Sequence, residues 1–403
     1  MNGWVCGSPS GRSPAGPRDD GRGAAVTAES ASGARIHVVR FAPAKLNLTL
    51  AVVGRRPDGF HALHTIMVPL SLGDALTVST GPAGATRDSL RVTGLTLAST
   101  PDNLVVRAIE AVRRAVTEAW PGAPSMPPLL AALLAKRIPV AAGLGGGSSD
   151  AAAAMEAALA AWGAGLDSER KAALAASLGS DVPFFLPGGP ALVTGRGEFV
   201  EPLPEIDGES PAVLLVTPRL PVGTAAVFDA YAGGARRAGG SRALEISERL
   251  AAEMRAGLTG TALLGRASEL ALANDLLPAA ASITPGLQGF LAALEKQLGR
   301  PVCQSGSGPT LWSLYQNLAE ARKAARFVRL AAVNGTLPLL GSGEPFVAAT
   351  TIAGRSTPPA SPLPEGPTGT IRPRTVHNGF DAGRPGPDVP ADGPAETKGD
   401  ESR

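Results

Sequence analysis

The sequence predicts a two-domain protein of mixed α and β structure (class α+β), on three observations. Strand-like and helix-like patterns alternate from about residue 35 to residue 338. A Gly/Pro cluster at 188–211 divides that stretch, and a glycine run joins a strand to a helix within its first half. At 403 residues, 44% of them hydrophobic, the chain can fill two cores of ordinary size.

Each element has its own signal. Residues 35–41, 46–53 and 75–79 read as strands. Asp102-Asn103 opens a helix on which Leu104, Val105, Ala108, Ile109, Val112, Ala115, Val116 and Ala119 fall on one face. Residues 129–138 form a strand that feeds the glycine run. An alanine-rich helix covers 151–162, and a second helix at 167–178 ends at Gly179. The second half opens with the apolar strand 212–217. Thr284-Pro285 then caps a helix carrying Leu287, Phe290, Leu291, Leu294 and Leu298, stopped by Gly299. Residues 301–304 lead into a small-residue loop at 305–308 (SGSG), followed by strand 310–315 and helix 320–331.

The two ends differ from the middle. Residues 1–34 and 341–403 are rich in Gly, Pro and Ser and lack periodicity, so both are expected to be disordered. The expected domains are therefore 35–190 and 200–338. A net charge of +2 provides no strong field for nucleic acid or a membrane surface. The two cysteines, Cys6 and Cys303, make neither a disulfide framework nor a metal site. No apolar run reaches membrane-spanning length, and the first residues lack the apolar stretch of a signal peptide. These features predict a cytoplasmic protein acting on small molecules.

The most informative stretch is residues 139–150, PVAAGLGGGSSD. Gly143, Gly145, Gly146 and Gly147 let the backbone approach a ligand closely, and the helix that follows turns its free N–H groups and positive dipole end toward it. Ser148 and Ser149 add hydroxyls able to reach a phosphate or its Mg2+. No lysine follows the glycines, so this is not the GK[ST] loop of P-loop nucleotidases. Taken alone, it reads equally well as a glycine turn before a serine-capped helix.

Other segments break that tie. Pro43-Ala44-Lys45-Leu46-Asn47-Leu48 and Arg56-Pro57-Asp58-Gly59-Phe60-His61 precede the glycine run. Gly179-Ser180-Asp181-Val182-Pro183-Phe184-Phe185, Asn274-Asp275-Leu276 and the loop 305–309 follow it. Together, in this order, they resemble the GHMP kinases over about residues 38–335. Within that family the motifs resemble those of the members that phosphorylate 4-diphosphocytidyl-2-C-methyl-D-erythritol (CDP-methylerythritol).

The resemblance implies a GHMP-kinase fold, with an ATP-binding α+β domain, a C-terminal α/β sandwich and the active site in the cleft between them. It implies ATP held by Pro139, Ala142, Gly143, Leu144, Gly145, Gly146, Gly147, Ser148 and Ser149, with Mg2+ arriving on the nucleotide. Lys45 and Asp181 become the catalytic pair, with Asp181 taking the proton of the acceptor hydroxyl. By residue type alone, Lys45 is also a strand-edge lysine reaching water, and Asp181 a turn cap. Phe60 and His61 would hold the cytosine, with Phe60 standing where many members have Tyr, so stacking survives and a hydroxyl contact is lost. Asn47 would orient the substrate, and Ser305 and Gly306 would pack beside its phosphates. Asn103 lies near the adenosine in such kinases and is equally a helix N-cap. His64 matches no motif and reads as an ordinary half-buried histidine. A monomer or homodimer is expected.

Overall fold

The computed structural model describes residues 36–94, 102–119, 126–234 and 241–355. All of these lie in the unit Met1–Ala360, the chain's second unit being Ser361–Arg403. The disorder expected at 1–34, and that expected from 356 onward, lies outside the described residues.

Seven strands build the first sheet: β1 (His37–Asn47), β2 (Ala51–Arg55), β3 (His61–Thr80), β4 (Ser89–Gly94), β5 (Leu130–Lys136), β6 (Ala191–Gly195) and β7 (Phe199–Pro202). The long strand β3 organises them. One edge carries β1 and β2, and the other carries β5 beside its C-terminal part and β6 beside its N-terminal part, all antiparallel. Beyond β5 lies β4, paired in parallel. Of this 20-residue strand the sequence suggests only the end at 75–79, for a physical reason. Thr65–Leu70 is buried on both faces and shows no alternation, whereas the last residues alternate.

Against one face of this sheet pack α1 (Leu104–Ala119), α2 (Gly146–Trp162) and α3 (Ser168–Leu178). Helix α2 is central, with Ala151, Ala154, Ala157 and Ala158 fully buried between the sheet and α1. Small side chains let helix and sheet approach closely. Gly179 does not close α3 in the left-handed form expected of a C-terminal glycine; its φ is 175°, ordinary extended backbone. The chain then makes a 3-10 turn at Pro183–Phe185.

The second half contains β8 (Ala212–Thr217), α4 (Thr224–Gly233), α5 (Arg242–Arg255), α6 (Gly260–Gly265), α7 (Ala267–Leu270), α8 (Leu277–Ile283), α9 (Leu287–Leu298), β9 (Cys303–Gln304), β10 (Leu311–Tyr315), α10 (Leu318–Val333) and β11 (Phe346–Thr351). Its sheet runs β11-β8-β10-β9, all antiparallel. Strand β11 corrects the expectation that disorder begins at 341. Phe346 to Thr351 pair in register with Thr217 to Ala212. The cause is local: FVAATT is a short run of β-forming residues surrounded by Gly and Pro, and the surrounding composition hides it.

Strand β11 also joins the two sheets. Between β5 and β6, the edge of β3 lacks a strand, and residues 350–353 occupy that gap. Leu72 N–H donates to Thr350 Oγ1 (2.9 Å), Ala353 N–H donates to Pro69 O (2.9 Å), and the Ser71 and Thr351 hydroxyls lie 2.7 Å apart. A shared apolar core sits beneath, with Leu46, Ile66 and Val68 from the first sheet against Val213, Leu215, Trp312 and Leu250 from the second half. Among the described residues no single helix is long and apolar enough to cross a membrane.

Candidate active site

Lys45 owes its place to an irregularity in β1. Pairing with β3 jumps from Pro43–Gly73 to Lys45–Pro69, so the strand is bulged there. Pro43 has no N–H to give the ladder, and Pro69 opposite Lys45 has none either. Lys45 N–H instead donates to Leu144 O of the glycine run (2.9 Å), which ties the bulge to the loop. The Lys45 side chain is only 5% exposed; its ammonium donates to Asn47 Oδ1 (2.6 Å) and stands 3.5 Å from Asp181 Oδ2. Asn47 is held in turn, since its Nδ2 donates to Thr65 Oγ1 (2.8 Å). With both ends of its amide engaged, Asn47 orients Lys45. Asp181 is 32% exposed and follows α3 directly, so one face of the pair opens outward.

The glycine run lies beside this pair. Ala141 (φ 53°) is the one non-glycine residue with positive φ among the described residues, a strained conformation of the kind that clusters at functional loops. Gly143 (φ 80°) lies so close to the second loop that a Cβ would run into Ser305 O, and at Gly145 (φ 67°) a Cβ would press on the Lys45 side chain. Helix α2 begins at Gly146, five residues before the start at 151 that the sequence suggests. Gly145 is its N-cap and gives no side-chain bond. The first-turn N–H groups are thus left without a side-chain cap, the arrangement that receives an anion. Ser149 Oγ in that turn is buried and has no hydrogen-bond partner among the described residues.

The 305–308 loop braces the glycine run. Ser305 Oγ donates to Gly143 O (3.0 Å) and accepts from Asn47 N–H (3.4 Å). Ser305 is fully buried and its hydroxyl is spent on this brace, so it acts as a strut. Asn274 holds the loop from below, donating to Gln304 O (3.1 Å) and Gly306 O (3.0 Å). Its neighbour Asp275 accepts from Val52 N–H (2.9 Å) and Ser241 Oγ (2.7 Å), fixing β2 and the start of α5. The Asn274-Asp275 motif therefore clamps three segments together: the 305–308 loop, β2 and the start of α5.

Phe60 and His61 stand at the start of β3. Phe60 is 50% exposed, with the Arg196 guanidinium 5.3 Å from its ring centre. His61 stacks on Phe228 (5.2 Å, 21°) and meets Tyr231 edge-on (5.9 Å). Phe228 and Tyr231 lie one turn apart on α4, a helix the sequence reading passes over. Two aromatics at i, i+3 spacing in an otherwise small-residue helix were the available signal. Asn103 Oδ1 accepts from Val105 N–H (3.0 Å), so it caps α1. His64 is half-buried, with Nδ1 2.9 Å from Ser247 Oγ, and burial lowers its pKa.

The sequence reading missed Asp74 and Lys136. Lys136 ends β5 and pairs with both Asp74 and Asp150 (2.7 Å to Asp150), all three buried. Burial pushes the Asp150 carboxyl up to about 7; the Lys136 charge works against that shift and Asp74 adds to it. The sequence held a signal, a lysine at the end of an apolar strand followed at once by the glycine run. A separate cavity of about 360 Å³ beside Glu205, Ile206 and Thr351 contains none of the predicted site residues. No group of three or more His, Cys, Asp or Glu is placed to hold a metal among the described residues.

An open helix N-terminus cradled by glycines lies beside a lysine–carboxylate pair, an arrangement suited to phosphoryl transfer. Models of the GHMP kinases match here: the N-terminal domain at residues 103–189 and the C-terminal domain at 254–334. A 4-diphosphocytidyl-2-C-methyl-D-erythritol kinase of Paramagnetospirillum magneticum is 39% identical, over 70% of this chain and 91% of that protein. Another, from Anaeromyxobacter dehalogenans, is 38% identical over 74% and 88%. A crystal structure of a 4-(cytidine 5'-diphospho)-2C-methyl-D-erythritol kinase superposes with a TM-score of 0.56 at 31% identity, covering 78% of this chain and 99% of that one. A homoserine kinase from Cytophaga hutchinsonii shares the fold (TM-score 0.57, 18% identity, 82% of this chain and 98% of that one). The chain belongs to the 4-diphosphocytidyl-2-C-methyl-D-erythritol kinase family of GHMP kinases.

Proposed function

We propose that this chain transfers the γ-phosphoryl group of ATP to the 2-hydroxyl of 4-diphosphocytidyl-2-C-methyl-D-erythritol, a step of non-mevalonate isoprenoid precursor biosynthesis. The observation that carries this reading is the Lys45–Asp181 pair, 3.5 Å apart, beside an uncapped helix N-terminus. Asp181 accepts the proton of the attacking hydroxyl. Lys45, held by Asn47, stabilises charge on the oxygen and on the phosphoryl group in flight. Phosphoryl transfer asks mainly for in-line positioning and charge stabilisation, and one base and one fixed cation meet that need.

The triphosphate lies on the loop 142–149, where backbone N–H groups and the Ser148 and Ser149 hydroxyls face it. The loop itself has no lysine, so Lys45 supplies the cation from β1. Mg2+ would arrive bound to ATP, beside the Ser149 hydroxyl, and would supply charge neutralisation on the phosphates. The fit is supported by the open first turn of α2 and by the buried, unpartnered Ser149 Oγ. The aromatic group His61, Phe228 and Tyr231, with the half-exposed Phe60 next to His61 in the chain, offers faces on which a cytosine stacks, and that favours a base-bearing alcohol over homoserine or mevalonate. The proposed domains are 35–190 and 200–338, a division that the presence of two separate sheets supports. The cytoplasm is the proposed compartment.

The test is ADP release by purified protein with Mg-ATP and the cytidyl alcohol, compared with homoserine and mevalonate as acceptors. Turnover with the cytidyl alcohol, lost on Lys45→Ala, is expected. ADP release only with base-free acceptors would sink the substrate assignment.

A further inference from the structure

The strongest arrangement outside the catalytic pair is the buried cluster under the phosphate loop. Lys136 is the last residue of β5, and Asp150 is the fifth residue of α2. The loop spans the residues between them. One ammonium, 2% exposed, binds Asp74 Oδ2 and Asp150 Oδ2. The other oxygen of Asp74 accepts from Arg137 N–H (2.5 Å) and Ile138 N–H (2.9 Å), the first two peptide groups of the loop. The start of the loop and the helix at its end are therefore pinned to one point on β3. Gly146 touches the same point, since a Cβ there would lie 3.2 Å from the Lys136 ammonium. Asp74 stands opposite Ala42 on β1, three residues before Lys45. One anchor thus relates the phosphate loop to the strand carrying the cation.

Stability alone is a poor explanation for such a cluster. Burying an ammonium and two carboxyl groups is costly, and apolar replacements of similar size are often neutral or better. Two carboxylates share a single ammonium, and Asp150 Oδ1 is buried without a partner.

We propose that Lys136 is a positioning residue for ATP: through Asp74 and Asp150 its ammonium fixes both ends of the phosphate loop, and so the spacing of the groups that receive the triphosphate. The inference rests on the assignment of residues 142–149 as the ATP loop.

Asp150→Ala is the variant of choice, because it leaves Lys136 paired one-to-one with Asp74 and strands no charge. Steady-state kinetics with each substrate varied, together with a melting curve, are the readouts. The KM for ATP should rise about tenfold or more, the equivalent of loosening one charged hydrogen bond. Both kcat and the KM for the cytidyl alcohol should stay within about threefold, and Tm should hold or rise. Asp150→Asn keeps an acceptor oxygen toward Lys136 and should bring the ATP KM back to within about threefold of the parent. A fall in Tm with activity lost in proportion to folded protein, or an ATP KM that the Ala variant leaves unchanged, overturns the proposal. Gly143→Val separates the two levels of the reading. If it raises the ATP KM while Asp150→Ala does not, only the positioning role fails; if neither does, the loop assignment fails as well.

Discussion

Two lysines flank the glycine run, and the protein treats them in opposite ways. Lys136 is sealed between two carboxylates at hydrogen-bonding distance, with every member of the cluster at most 4% exposed. Lys45 has one neutral acceptor, Asn47, at 2.6 Å, and a carboxylate set back at 3.5 Å that is one-third exposed. A cation with tightly bonded partners on all sides has no capacity left for a substrate. A cation held from one side, with a loose counter-charge on the other, can change partners during a reaction. Burial alone does not separate the two; the partner geometry does.

The largest effect should come from breaking the looser pair. Lys45→Ala or Asp181→Asn should lower kcat by about 10²–10⁴, the range of a lost general base or charge stabiliser, with little change in Tm. Rapid-quench measurement of single-turnover phosphoryl transfer checks this. Breaking the tight cluster should do the reverse. Lys136→Met leaves the buried Asp74 and Asp150 carboxyls without their cation and should cost about 3–5 kcal/mol of folding stability. Urea unfolding measures that loss, and an unchanged midpoint would erase the contrast between the lysines.

A subtler effect concerns pH. The Asp150 carboxyl is raised in the folded protein to about 7, above its ordinary value of 3.8. Its contribution to stability is therefore fully present below about 4 and is lost as pH rises toward 7. Asp150→Asn should flatten the stability profile over that window; a profile identical to the parent would contradict it. Removing a stacking ring should matter less, with Phe228→Ala raising the KM for the cytidyl alcohol about tenfold and leaving the ATP KM alone. Smallest of all, Phe60→Tyr should shift that KM by about twofold at most, because the ring face is kept.

Legibility in the sequence followed the physics of each signal. The α1 stripe, the alanine-rich α2 and the apolar β8 were readable because burial on one face or on all faces leaves a plain pattern. Helix α5 was equally readable and went unread: Ser241 caps it, and Ala243, Ile246, Ser247, Leu250, Ala251 and Met254 line its buried face. Strand β3 was not readable beyond its end, because double-sided burial removes alternation. At the site, Lys45, Asp181 and the glycine run were legible as motifs. The use of Ser305 and Asn47 as internal braces was not, because their hydroxyl and amide meet partners up to 258 residues away. Asp74 carries no local pattern, and the i, i+3 aromatics of α4 do not reveal their partner. Only folding brings Asp74 under the loop and Phe228 against His61.

Strand β11 imposes an order on biosynthesis. The edge of β3 near Leu70 is completed only by residues around Ile352, the partners of an isolated bridge. At ordinary translation rates of about 5–20 residues per second, roughly 15–55 seconds separate the two. Throughout that interval the first sheet, phosphate loop included, emerges with an open edge. Among the described residues, the last strand made is the one that closes the first sheet begun.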